Sequence, residues 1–340
     1  LQAPAGRGHR GCVERIRLRP ESRRQVVSNA FLYVITVLVW GSTWLAIEFQ
    51  LGVVAPEISI VYRYAGASVL LFAWSRIRGL PLSFGLQQHA RFVLLGMLLF
   101  GLNYIFAYRA QVYITSALTA IAFSTMVWMN IVNARIFFGV RAGRRVLFGA
   151  LLGVAGIIML FAPQVAELTL SDTVFYGSML AVLGAMVASL GNMVSQASQK
   201  AGLPVIQSNA WGMLYGAIIT GLISVYQGHE FVFDWSLEYL GSLFYLTVFG
   251  SIVAFGAYLT LLGRIGAHKA GYAMVMFPVV ALILSMLFED LELDAPVLVG
   301  TFLVLAGNLF VLNTKLPRAR HEPRPAAGTM PVTARAIDFE

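Results

Sequence analysis

Charge is scarce in this sequence. Only 12% of its 340 residues are Asp, Glu, Lys or Arg, and the acids number 16. A soluble globular domain carries about twice that share of charge, so that class is excluded. Cysteine is scarcer still: Cys12 stands alone and cannot close an intrachain disulfide, which leaves the redox compartment undetermined. The histidines, His9, His89, His229, His268 and His321, are scattered over tails and loop edges without metal-ligand spacing, so no metal site is expected. No GxxxxGKS or GxxxxGKT run occurs, which excludes an ATP-driven pump within this chain. No Ser/His/Asp arrangement can be argued, so no catalytic residue, enzyme activity or cofactor is expected.

What the chain has in abundance is apolar length. Hydrophobic residues make up 58% of it, and its mean hydropathy is +0.76. A bilayer core needs about 20 apolar residues per helix, and cutting the sequence at charges, Pro and Gly clusters leaves ten such runs. They fall near 30–49, 58–75, 92–110, 114–137, 146–162, 173–197, 206–227, 239–263, 269–288 and 296–314. Residues 1–28 are basic and lack an apolar core, so they read as a disordered tail and not as a cleavable signal peptide. A second tail, 315–340, is rich in Pro, Arg and Ala.

The net charge of +8 would suggest nucleic acid in a soluble chain. Here the basic residues lie in tails and short gaps between apolar runs, which excludes nucleic acid as a partner. Arg76, Arg78 and Arg91 separate runs two and three; Arg141, Arg144 and Arg145 separate four and five; Arg264 and Lys269 separate eight and nine. The alternate gaps hold Glu48 and Glu57, then Glu167 and Asp172, then Glu230, Asp234 and Glu238, and finally the stretch FEDLELDAP at 288–296. Arg109 is the exception. Lys and Arg are retained on the cytoplasmic side during insertion, so ten spans with both termini in the cytoplasm satisfy every gap.

Internal repetition accounts for the acidic stretch. Aligned from Ile114 and from Ile265 without a gap, Gly149 falls on Gly300 and Gly156 on Gly307, and the loop GVRAGRR lies opposite DLELDAP. A unit with an odd number of spans re-enters the membrane upside down, so its second copy shows the equivalent loop on the other side. Basic becomes acidic. Inverted repeats of this kind are the mark of secondary transporters, whose substrate site lies between the halves.

At this point the residues resemble the EamA-type permeases of the drug/metabolite transporter (DMT) superfamily. The resemblance rests on WGSTW at 40–44, Arg63 within IVYRYA, YLTLLGRIGAHKAG at 258–271 and PVVALILSMLFED at 278–290, and it covers two copies, 30–162 and 173–314. It implies an all-α integral membrane protein, ten transmembrane helices as two inverted five-helix repeats around a central cavity. It also implies a permease for the efflux of small metabolites, amino acids or drugs, often against a proton gradient. One departure matters: where the family's first repeat ends its fourth helix in Gly-Glu-Arg or Gly-Glu-Lys, this chain has Gly139, Val140 and Arg141, so any role of that glutamate is lost.

Polar residues inside the spans become the candidate cavity, because hydrocarbon tolerates them only beside a partner or water. Ser189, Asn192, Gln196 and Gln199 form one stripe on the sixth span. It reads either as a hydrogen-bonding wall or as glue between helices. Asn130 and Asn133 lie beside Trp128 on the fourth span, Asn103, Tyr104 and Tyr108 on the third, and Tyr258 and Tyr272 on the eighth and ninth. Amide and aromatic groups together suit a zwitterionic or amphipathic solute, although Tyr and Trp near helix ends also serve as interfacial anchors. Trp40, Trp44 and Glu48 share a face of the first span, and Arg63 sits five residues into the second. Glu48 is expected to pair with Arg63, either to couple protons or only to fix two helices. GALLG at 149–153 and GMLYG at 212–216 permit close helix approach; packing within the chain is the main expectation, a homodimer seam the lesser one.

The expected whole is a secondary active exporter in the plasma (inner) membrane, with the bilayer and a small molecule as its partners. Movement of lipid-linked intermediates, or a non-transporting receptor or assembly role, are the rival readings.

Overall fold

The computed structural model describes residues 20–114, 116–160, 172–277, 279–280 and 295–312. These form α1 (Pro20–Glu48), α2 (Pro56–Ile77), α3 (Leu86–Leu95), α4 (Asn103–Tyr113), α5 (Ser116–Ser124), α6 (Met126–Phe138) and α7 (Arg144–Leu160). After residues 161–171 follow α8 (Asp172–Lys200), α9 (Val205–Tyr226), α10 (Leu237–Tyr245), α11 (Ala254–Ile265), the short α12 (Ala267–Ala270) and α13 (Ala295–Leu312). Among the described residues there is no strand. Six helices are long and apolar enough to cross a membrane: Asn29–Glu48, Pro56–Ile77, Leu86–Tyr113, Thr173–Lys200, Val205–Tyr226 and Leu237–Ile265. The protein is an integral membrane protein, helical in its described segments.

At the four other expected positions the structure differs or is only partly described. The fourth run is broken at Thr125 into α5 and α6. α7 has 17 residues and α13 has 18, shorter than the six. Of the ninth run, residues 281–288 lie outside the described residues, as do 289–294 of FEDLELDAP, Glu167, residues 1–19 of the first tail and the tail 315–340. Helix α1 also begins at Pro20, inside the stretch expected to be disordered. Proline is favoured in a first helical turn, and the Glu, Arg and Gln that follow it are good helix formers.

The third and eighth runs share an interruption. Leu86–Tyr113 passes through a π-helical segment at Gly96–Leu102, and Leu237–Ile265 through one at Leu246–Val253. Each widens a helix beside the molecular centre, a place where such segments tend to serve a site.

Helix contacts run in matching pairs. α1 packs on α11 and α4 packs on α8, while α2 packs on α9 and α7 on α13. The last pair meets backbone to backbone. A Cβ added at Gly156 would lie 2.7 Å from Gly300 O, and one at Gly307 would lie 2.6 Å from Gly149 O. In GMLYG the same device receives the third run, since a Cβ on Gly96 would lie 2.5 Å from Gly212 O and 2.8 Å from Gly216 N. Both glycine motifs thus serve close approach within the chain.

Candidate functional site

A narrow cavity of about 50 Å³ lies where α1, α4, α5, α6, α8 and α11 converge. Trp40 and Trp44 come from α1, Asn103 and Tyr104 from the start of α4, Asn192 from α8, and Phe255 and Tyr258 from α11. The break in the fourth run contributes Phe123 on one side and Met126 on the other. Thr125 marks that break: its backbone N–H and its hydroxyl both donate to the Ala122 carbonyl. Irregular backbone at membrane depth is tolerated where it is buried in protein or lines a cavity.

Aromatic rings give the cavity its shape. Trp40 packs edge-on against Phe255 with centroids 4.6 Å apart, and its indole Nε1 donates to Gly250 O at 2.9 Å. Trp44 packs on Phe123 at 5.1 Å. Three buried polar atoms of the wall have no hydrogen-bond partner among the described residues: the donor Trp44 Nε1 and the acceptors Asn103 Oδ1 and Asn192 Oδ1. Buried polar groups are nearly always satisfied, so these three atoms stand open to a partner from outside the chain, water or solute.

The expected site residues divide into three groups. Trp44, Asn103, Tyr104, Asn192 and Tyr258 line the cavity. Behind them stands a side-chain network: Ser189 donates to Asn130 Oδ1 at 2.8 Å, Asn133 donates to Ser189 at 2.9 Å, and Asn192 Nδ2 reaches Tyr258 OH at 3.0 Å. Both readings of the stripe on the sixth span therefore have a place in it, with Ser189 joining helices and Asn192 facing the cavity. The remaining candidates lie elsewhere. Gln196 Oε1 accepts from the Ala267 backbone N–H at 3.1 Å, holding the turn before α12. Tyr272 donates to Val146 O, and Trp128 packs on the apolar cluster between α6 and α7. Tyr108 belongs to a cage around Arg63.

Glu48 and Arg63 do not pair. Glu48 is exposed. Arg63 is fully buried and turns toward the second half of the chain, where Nε donates to Ser251 Oγ at 2.8 Å. Its Nη1 approaches Tyr108 OH at 3.5 Å, and its guanidinium carbon lies 4.7 Å from the Tyr104 ring centre and 5.2 Å from that of Tyr64. The carboxylate that is buried is Glu57, 1% exposed, and its Oε1 accepts from Arg109 Nε at 2.5 Å. Arg109, the exception to the alternation of basic and acidic gaps in the sequence, thereby has its partner. Its Nη2 also donates to Gln227 Oε1 at 2.8 Å, and His229 Nε2 lies 3.7 Å from Glu57 Oε2. Sequence proximity selects the wrong acid here, because a helix turn carries Glu48 outward while Glu57 meets a residue 52 positions away.

Thr43, Phe255 and Phe277 line the cavity without being singled out one by one by the sequence, and Trp40, placed there only on the face of Trp44, joins them. Single apolar residues or threonines in an apolar span carry no signal of their own.

The EamA-like transporter family model matches this chain twice, over residues 28–162 and 175–313. The chain belongs to the EamA-like transporter family. It is a membrane transporter. Relatives in that family include the uncharacterized transporter YoaV of Bacillus subtilis (strain 168), 24% identical over 82% of this chain and 95% of its own length. The uncharacterized inner membrane transporter YedA of Escherichia coli (strain K12) is 26% identical over 73% of this chain and 78% of its own. A WAT1-related chloroplastic protein of Arabidopsis thaliana is 27% identical over 81% of this chain and 66% of its own. One solved crystal structure superposes with a TM-score of 0.69 at 17% identity, covering 84% of this chain and 96% of the other, a likeness of fold alone.

Proposed function

We propose that this EamA-like protein is a secondary active exporter of a small amphipathic organic solute across the plasma (inner) membrane, with the central cavity as its substrate site. The observation that carries the reading is the wall itself: aromatic rings surround three buried polar atoms without partners, within a membrane bundle. Concave, mostly apolar sites with a few placed polar groups are the usual form of small-molecule sites.

The same proposal holds that ten spans form two inverted halves, 30–162 and 173–314, with both termini in the cytoplasm. The double family match supports it, as do the paired π-helical segments and the exchange of Gly156–Gly300 for Gly307–Gly149. Under the alignment of Gly149 with Gly300 and Gly156 with Gly307, those two contacts are one contact seen from each copy. The cavity of about 50 Å³ has room for a few waters and none for a metabolite. Its walls must therefore separate to admit a solute, which suits rocking of one half against the other. If protons drive the cycle, Glu57 replaces Glu48 as the acid placed to take part, since it links α2 to α4 through Arg109.

The test is a thermal-shift screen of the purified protein against amino acids, nucleosides, polyamines and cationic dyes, because a bound ligand stabilises by mass action. A hit is then assayed for counterflow in proteoliposomes. Trp44→Phe keeps an aromatic ring against Phe123 but loses the indole's free N–H, so it should weaken the hit about five- to tenfold with little change in the melting temperature of the free protein. A hit that binds Trp44→Phe and Asn192→Ala as it binds the parent removes the cavity from the account.

A further inference from the structure

Beside the cavity lies a cation that no described carboxylate neutralises. Among the described residues no carboxylate comes within ion-pair distance of Arg63. Its Nε and Nη1 meet the hydroxyls of Ser251 and Tyr108, while Nη2, equally buried, has no hydrogen-bond partner. Faces of Tyr64 and Tyr104 offset part of the cost of burying the charge, yet ring faces and hydroxyls do not replace an anion. Gln50 Nε2, in the same cluster, also lacks a partner among the described residues.

We propose that Arg63 is an anion subsite of the central cavity, so that the transported solute carries a carboxylate or comparable anionic group. The inference rests on the reading of that cavity as the substrate site. Tyr104, whose ring faces the guanidinium, is also cavity wall. Gly250 stands between Arg63 and Thr43 of that wall: a Cβ built there would lie 3.2 Å from Arg63 Nη2 and 3.0 Å from Thr43 Cγ2, so the glycine lets the free nitrogen and the wall pack closely on either side of it. Arginine presents its donors as a planar fork that matches a carboxylate, and a buried guanidinium gains most from an anion that arrives with the solute. The apolar rings of the cavity then receive the body of the same molecule.

Three probes of one shape separate the alternatives: 3-phenylpropionate, its neutral amide, and 3-phenylpropylamine. Binding to the full-length purified protein is read by thermal shift and calorimetry. The carboxylate should bind more tightly than the other two. Arg63→Gln should weaken it about a hundredfold, as expected for truncating one partner of a buried charge pair, and bring it level with the amide. Gly250→Ala keeps the charge and presses a methyl on the free nitrogen, so it should weaken the carboxylate and spare the amide; it decides the matter where Arg63→Gln fails to fold. A carboxylate that binds no better than the amide, or equally to parent and variants, overturns the subsite while leaving the cavity reading intact. A protein that none of the three stabilises also overturns the subsite, and the cavity reading is then judged by the wider screen.

Discussion

Glu57 and Arg63 stand on one helix, six residues apart, and their burial is met in opposite ways. Glu57 has an ion pair; Arg63 has rings and hydroxyls. Breaking the first leaves a charge short of its partner, though Arg109 is 37% exposed and water recovers part of the loss. Glu57→Gln should therefore lower stability by about 1–2 kcal/mol, whereas Glu48→Gln, at an exposed position, should change it by less than about 0.5 kcal/mol. Thermal unfolding in one detergent checks both, and equal effects would contradict the assignment of the buried acid. The sequence makes the presence of buried charge legible and leaves the pairing hidden. A helical face can be counted from Trp40 to Glu48, but which face meets Arg109 depends on how α2 and α4 pack.

Elements show the same division between what local pattern reveals and what packing decides. Apolar length exposes the first, second, third, sixth, seventh and eighth spans, because bilayer thickness is a one-dimensional constraint. The break at Thr125 is invisible to that measure, since Ser124 and Thr125 differ little from other small polar residues of the spans; it matters because Phe123 and Met126 reach the cavity from either side of it. Glycine is legible as spacing, and its consequence becomes quantitative in the contacts. Gly96→Ala and Gly156→Ala each press a methyl against backbone at 2.5 and 2.7 Å, where no rotamer can yield. Folded yield of both should fall sharply. At Gly241 a Cβ meets open space, so Gly241→Ala should leave yield and melting temperature near those of the parent. Size-exclusion profiles of the three variants check this, and equal tolerance at all three sites would contradict the packing of the π-helical segment Gly96–Leu102 on α9 and of α7 on α13.

At the scale of the whole molecule, the account depends on orientation. Basic and acidic gaps alternate along the chain, the family match occurs twice, and the contacts of α1 with α11 and of α4 with α8 correspond when the copies are exchanged. These features support the proposed arrangement: two copies inserted in opposite senses, holding a cavity between them. The proposal itself was readable from charge and repetition, because topology is recorded in loops. The solute was not, because recognition lies in a few polar atoms among apolar neighbours. The central claim is the inversion, and site-specific labelling tests it most directly. With Cys12→Ser as background, Gly143→Cys and Leu293→Cys are each treated in intact cells and in inverted vesicles with a thiol reagent that does not cross membranes. The account predicts that Gly143→Cys is labelled only from the cytoplasmic side and Leu293→Cys only from the outer side; labelling of both from one side would contradict it.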